Sequence, residues 1–114
     1  QSSITDVAFS HLAGIHTLDM SGCGQFTDVA FSHLAGIHTL NMSDCIQSSI
    51  TDAAFSHLVG IHTLNMRRCY QSSITDMAFS HLTGIHTLDM SWCYQSDITD
   101  TTMSYLEDVP VLIR

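Results

Sequence analysis

Lysine is missing from this 114-residue chain, and its three arginines face eleven acidic residues, for a formal net charge of -8. That balance excludes the basic footprint that nucleic-acid binding needs, and an anionic membrane surface would repel it. No apolar run approaches the roughly 20 residues that span a bilayer, and the opening residues carry no signal-peptide pattern. Catalytic signatures are missing too. There is no glycine-rich phosphate loop, no G-x-S-x-G elbow, no H-E-x-x-H helix and no pair of carboxylates beyond one recurring Asp column. The expectation is a non-enzymatic chain that uses no cofactor. Proline occurs once, at Pro110, where it suits an edge strand.

What is present is one unit, copied along the chain. Ile-Thr-Asp falls at Ile4, Ile50, Ile74 and Ile98, with Phe26-Thr27-Asp28 as the second copy, so the steps are 22, 24, 24 and 24 residues. The units run over 1–23, 24–45, 46–69 and 70–93, and a degraded partial unit at 94–114 has Tyr105, Asp108 and Pro110 where the others have His, Gly and His. Within a unit the hydrophobic period changes. Ala8, Phe9 and Leu12 share one stripe of a short helix, which Thr5 or Asp6 caps and Gly14 ends in a left-handed conformation. Gly36, Gly60 and Gly84 repeat that stop. In Ile15-His16-Thr17-Leu18-Asp19-Met20 the pattern alternates, with Leu18 and Met20 on one face and Thr17 and Asp19 on the other, which predicts a strand. A helix of about eight residues does not persist alone in water. Neighbouring units must hold it by stacking Phe9, Leu12, Ile15, Leu18 and Met20 on their counterparts.

Ile15-x-x-Leu18-x-Met20-x-x-Cys23, followed by the Ile-Thr-Asp helix entry, resembles the cysteine-containing class of leucine-rich repeat, in a short variant of 24 residues. The resemblance covers essentially the whole chain. It implies a right-handed α/β solenoid, with a concave parallel sheet of about five strands, short helices on the convex side and a buried cysteine column. Many members of that family are protein-binding scaffolds, including substrate-recognition parts of F-box ubiquitin ligase subunits. This sequence contains no F-box.

Cys23, Cys45, Cys69 and Cys93 come one per unit. They read as a reduced ladder whose thiols donate to turn carbonyls, with a disulfide or a zinc site as the alternatives. A reduced ladder implies a reducing, intracellular (cytoplasmic) setting. The first unit has no capping segment, which exposes the flank of Phe9, Leu12 and Leu18 and an open strand edge, so either residues are missing upstream or this end meets another molecule. Because it starts on Gln1, the chain reads as a fragment, a processed product or an engineered piece of something longer.

The copies are nearly identical even at surface positions, so the array is recently duplicated or deliberately idealised. Their differences concentrate just after the strand: Gly22, Asp44, Arg68 and Trp92 at one position, Gly24, Ile46, Tyr70 and Tyr94 at another, and Arg67 in place of Ser. Trp, Tyr and Arg are enriched at binding hot spots. Stacked strands set equivalent residues about 4.8 Å apart, so Arg67, Arg68, Tyr70, Trp92 and Tyr94 form a candidate patch for an unidentified protein partner. The other reading is local: the tyrosines cover the loop flank and the arginines pair with Asp44 or nearby acids.

Two further column sets stand out. Thr17, Thr39, Thr63 and Thr87 run beside Asp19, Asn41, Asn65 and Asp89 on the solvent face of the strands, the concave face of a solenoid. Regular threonine columns suggest ice binding as a remote alternative to ordinary β-branched strand residues. Eight histidines form the columns His11, His33, His57, His81 and His16, His38, His62, His86. Weak divalent-metal binding is a third function, with the second column as the candidate, although aligned imidazoles do not converge tetrahedrally. Protonation of stacked imidazoles opposes like charges, so acid destabilises the fold. The leading function is protein recognition, and the alternative is end-to-end self-association into a homo-oligomer.

Overall fold

Threonines start the helices. In a computed structural model of the chain, which describes residues 9–22 and 26–114, Thr27, Thr51, Thr75 and Thr99 hold extended backbone. Each Oγ1 accepts a hydrogen bond from the N–H two residues on, at 3.2, 3.2, 3.3 and 3.2 Å. That contact satisfies one donor that a helix start leaves open. The helices are α1 (Asp28–Phe31), α2 (Asp52–Phe55), α3 (Asp76–Phe79) and α4 (Asp100–Tyr105).

The expected helix of about eight residues is divided. Both α1 and α2 are single turns that run into 3-10 turns at Ser32–Leu34 and Ser56–Leu58, and Ser10–Leu12 is a third. The Oγ of Ser32, Ser56 and Ser80 donates back to the carbonyl three residues earlier, at 2.6, 2.7 and 2.6 Å. That local bond accompanies the tightening of the chain away from a continuous α-helical ladder.

A type II turn follows. Val59 holds φ -57° and ψ 130°, Gly60 holds φ +87°, and the Ile61 N–H donates to Leu58 O at 3.0 Å. The third residue of such a turn is left-handed, which glycine adopts without a Cβ clash. Gly84 departs from the expectation. Its unit keeps the bond from Ile85 N–H to Leu82 O at 3.1 Å, but Gly84 is not left-handed.

Each turn delivers the chain to a strand: β1 (Thr17–Asp19), β2 (Thr39–Asn41), β3 (Thr63–Asn65), β4 (Thr87–Asp89) and β5 (Val111–Ile113). They form a parallel five-stranded sheet in sequence order, alternating with the short helices. Thr17, Thr39, Thr63, Thr87 and Val111 stand in one register row, and Leu18, Leu40, Leu64, Leu88 and Leu112 in the next. The alternation holds. Leu40, Leu64 and Leu88 are fully buried, as are Met42 and Met66, against Phe31, Phe55 and Phe79 of the helices. Leu12 and Leu18 are half-buried, but Phe9 is wholly buried rather than left open at the flank, with its ring 5.3 Å from that of Phe26.

Polar ladders lock unit to unit. Asp28 takes hydrogen bonds from the Thr51 N–H at 2.7 Å and the Thr51 hydroxyl at 2.5 Å, and Asp52 takes the same pair from Thr75 at 2.6 and 2.5 Å. Cys45, Cys69 and Cys93 are reduced, and their thiols donate to the carbonyls of Met20, Met42 and Met66 at 3.1, 3.1 and 3.2 Å. Burial pushes the Cys69 thiol far up, with its neighbours Cys93 and Cys45 adding to the effect, and burial pushes Cys93 up to about 11. Cys23 lies outside the described residues. No helix among those described is long and apolar enough to cross a membrane.

Candidate protein-interaction surface

The site is built where the strands end. Asp19, Asn41, Asn65 and Asp89 each accept the N–H two residues on through Oδ1, at 3.0 Å in every case. These outward-facing residues are thus strand-ending turns. At Asp19, hydrogen bonds from the Ser21 N–H and hydroxyl hold the carboxyl below its usual range, against a small opposing effect of burial. The threonines beside them are half-buried at Thr39, Thr63 and Thr87 and exposed at Thr17.

The residue after each turn is left-handed. Gly22 has φ 70°, and Asp44, Arg68 and Trp92 take φ 61°, 64° and 65° at the same place. Backbone bonds hold them there: the N–H groups of Gly22, Asp44 and Arg68 donate to Ser43 O, Arg67 O and Ser91 O, each at 2.9 Å. A left-handed residue other than glycine costs roughly 1–2 kcal/mol. Arg68 and Trp92 are therefore strained where the first unit carries an unstrained glycine, Asp44 takes the same conformation at lower cost, and all three side chains are exposed.

Those side chains line one groove. About 380 Å³ in volume, it is bounded by Asp44, Ile46, Arg68, Tyr70, Trp92 and Tyr94. Ile46, Tyr70, Trp92 and Tyr94 are 46%, 51%, 49% and 73% exposed, a concentration of large apolar surface that folding leaves unused. The Trp92 and Tyr94 rings meet at 5.6 Å with a 56° tilt, and the Arg68 guanidinium lies 5.9 Å above the Trp92 ring. Arg68 Nη1 also approaches Asp44 Oδ1 at 3.8 Å, with both side chains more than half exposed.

Four of the five residues proposed from sequence thus come together, namely Arg68, Tyr70, Trp92 and Tyr94. Arg67 is exposed but does not line the groove. Asp44 and Ile46 do line it. Their signal was legible as divergence at the same two repeat positions, without the residue type of a hot spot. Pairing of Arg68 with Asp44 and covering of the flank coexist with the groove.

The histidine column is regular and lies elsewhere. The rings of His16, His38, His62 and His86 stack at 4.5, 4.5 and 4.6 Å, tilted by 10–12°. Each Nδ1 lies 2.7–2.9 Å from the hydroxyl of the next threonine. Desolvation lowers the pKa of His38, and the flanking His16 and His62 lower it further. Of the other column, His11 is exposed and His33, His57 and His81 are half-buried. Among the described residues no three His, Cys, Asp or Glu side chains are placed to hold a metal ion. Aligned rings offer their nitrogens in a row rather than around a point.

Comparison with known proteins adds no relative: no family model matches the chain, and no curated protein matches it.

Proposed function

We propose that the chain is a leucine-rich-repeat-type solenoid that acts as a non-enzymatic protein-recognition module, and that it meets its partner through the groove at Trp92. The observation that carries this reading is the retention of Asp44, Arg68 and Trp92 on left-handed backbone around one exposed aromatic groove. Strain of this kind persists where surrounding structure over-determines it and clusters at ligand-binding sites. Trp, Tyr and Arg are the residue types that dominate binding energy once a partner desolvates them. The in-order parallel sheet and the thiol ladder support the repeat-family part of the proposal. Reduced, buried thiols support a reducing cellular compartment.

Selection of binders from a random peptide display library tests the reading. Selected peptides should lose at least about tenfold in affinity against Trp92→Ala or Tyr94→Ala, with circular dichroism unchanged. Binders indifferent to both substitutions would remove it.

A second reading, end-to-end self-association, is favoured by Val111 and Ile113, which stand 40% and 45% exposed on β5, the last strand in the order. Light scattering over a hundredfold concentration range separates the two. A mass that grows with concentration and reverts on Val111→Lys favours association, whereas a constant monomer mass removes it.

A further inference from the structure

The groove has more hydrogen-bond donors than acceptors. A guanidinium carries five N–H donors, yet among the described residues Arg68 donates no side-chain hydrogen bond. Its contacts are the 3.8 Å approach to Asp44 and the face of Trp92. The Trp92 indole N–H and the Tyr70 and Tyr94 hydroxyls are likewise without a hydrogen-bond partner among those residues. Against these stand the two tyrosine oxygens, which accept as well as donate, and one carboxylate, Asp44, held at ion-pair rather than hydrogen-bond distance and screened by solvent.

A cation is placed to match. The chain has only three arginines and no lysine, and one of the three, Arg68, lines this groove. Long-range repulsion from the net charge of -8 fades within about 8 Å at physiological salt, so distant acids count little, and Asp44, 3.8 Å from Arg68, is the carboxylate that a ligand acid must displace or share the guanidinium with. The lining comes from three successive turns after the strands, Asp44 with Ile46, Arg68 with Tyr70, and Trp92 with Tyr94. At about 4.8 Å per strand the groove follows the stacking direction for about 10 Å, the reach of three or four extended residues. Arg68 is at its middle, between the apolar Ile46 and the Trp92–Tyr94 pair.

We infer that the groove takes an extended peptide segment of a partner protein that presents one carboxylate to Arg68 between two apolar side chains. This rests on the protein-recognition reading and specifies what is recognised. In an extended chain, side chains two apart share a face at about 6.6 Å, wider than the strand spacing of about 4.8 Å, so with a carboxylate on Arg68 the apolar side chains two before and two after it overhang the outer flanks of Ile46 and of the Trp92–Tyr94 rings. A carboxylate can bond two guanidinium nitrogens at once, which an amide cannot reproduce.

Trp92 is the single tryptophan, so its fluorescence reports occupation of the groove directly. The probes are acetyl-Leu-Ala-Glu-Ala-Leu-amide and the same peptide with Gln or Lys in place of Glu. The Glu peptide should shift the Trp92 emission saturably, the Gln peptide should bind roughly tenfold or more weakly, and the Lys peptide more weakly still. Arg68→Gln should abolish the difference between the Glu and Gln peptides, and Arg68→Lys should keep only part of it. Equal binding of all three, or tightest binding of the Lys peptide, overturns the acid preference and leaves a recognition groove standing. If the Glu peptide leaves the emission unmoved, the inference falls. If display-selected peptides leave it unmoved as well, the recognition reading falls with it.

Discussion

Asp76 receives two hydrogen bonds from Thr99 in the following unit, one from the backbone N–H at 2.7 Å and one from the hydroxyl at 2.5 Å, and Thr102 adds a third from its own hydroxyl. Burial raises the pKa of this carboxyl, but the bonds from Thr102 and Thr99 outweigh it and hold the group below its usual range. An Asp with a depressed folded pKa contributes stability that is fully present above its unfolded pKa of about 3.9 and is lost as pH falls through the folded value. Urea midpoints should therefore drop below about pH 4 in the parent, and less steeply in Asp76→Ala. At pH 7, Asp52→Ala should lower stability by about 1–2 kcal/mol, since two interunit hydrogen bonds to a charged acceptor go with it.

Stacked imidazoles set a second pH dependence. His38 has a lowered pKa in the folded chain, so between its unfolded value of about 6.5 and that lower one the unfolded state binds the proton and the folded state does not. Stability should fall as pH drops below about 6.5, and His38→Gln should flatten that part of the curve. Thermal melts from pH 7.5 to 5.0 check this, as does NMR titration of the His38 ring.

Arg68→Gly and Trp92→Gly should move stability and binding in opposite directions. Glycine at φ 64° or 65° relieves a left-handed strain of roughly 1–2 kcal/mol. It also removes the small contact between guanidinium and indole, so the net rise should be about 0.5–1 kcal/mol. Each variant should melt higher than the parent while losing affinity for groove ligands. A variant that melts lower would show that the exposed side chain stabilises the fold.

Two glycines at one repeat position should respond differently to alanine. A Cβ added at Gly60 or Gly84 meets nothing within 4 Å, but Gly60 stands at φ +87° and Gly84 is not left-handed. Gly60→Ala should therefore destabilise by about 1–2 kcal/mol through backbone strain alone. Gly84→Ala should be neutral or stabilise by about 0.5 kcal/mol by restricting the unfolded chain. Denaturant titration of the pair decides it.

The parts of this fold that were legible in the sequence depend on residues close in the chain. Leu64 and Met66 alternate with Thr63 and Asn65, and that period of two places the first pair in the core and the second outside. The place of each helix start was legible for the same reason, though the sequence leaves the cap open between the Thr and the Asp, and the structure gives it to the Thr. What was hidden depends on partners about 23 residues away or on the competing choices of a single side chain. The pattern around Asp52 suits its own helix start, whereas its carboxylate takes two hydrogen bonds from Thr75 in the next unit. The helix divides at Ser56, whose hydroxyl donates to Ala53 O, a bond that no hydrophobic pattern encodes. Trp92 was legible as a divergent aromatic, but its left-handed backbone had one clue, the glycine at Gly22. Arg67 was grouped with the groove by adjacency, whereas the turn at Asn65 leaves it outside.

The turn after each strand has a further consequence for how such a chain changes over time. Its N–H is tied to the next unit's turn in three of the four copies, at Gly22, Asp44 and Arg68, and Gly, Asp, Arg and Trp all occupy the position at φ 61° to 70°. Every repeat thus contributes one interchangeable letter to a short outward-facing word. The word can be rewritten a letter at a time, and new partners can be acquired, while the supporting architecture stays as it was.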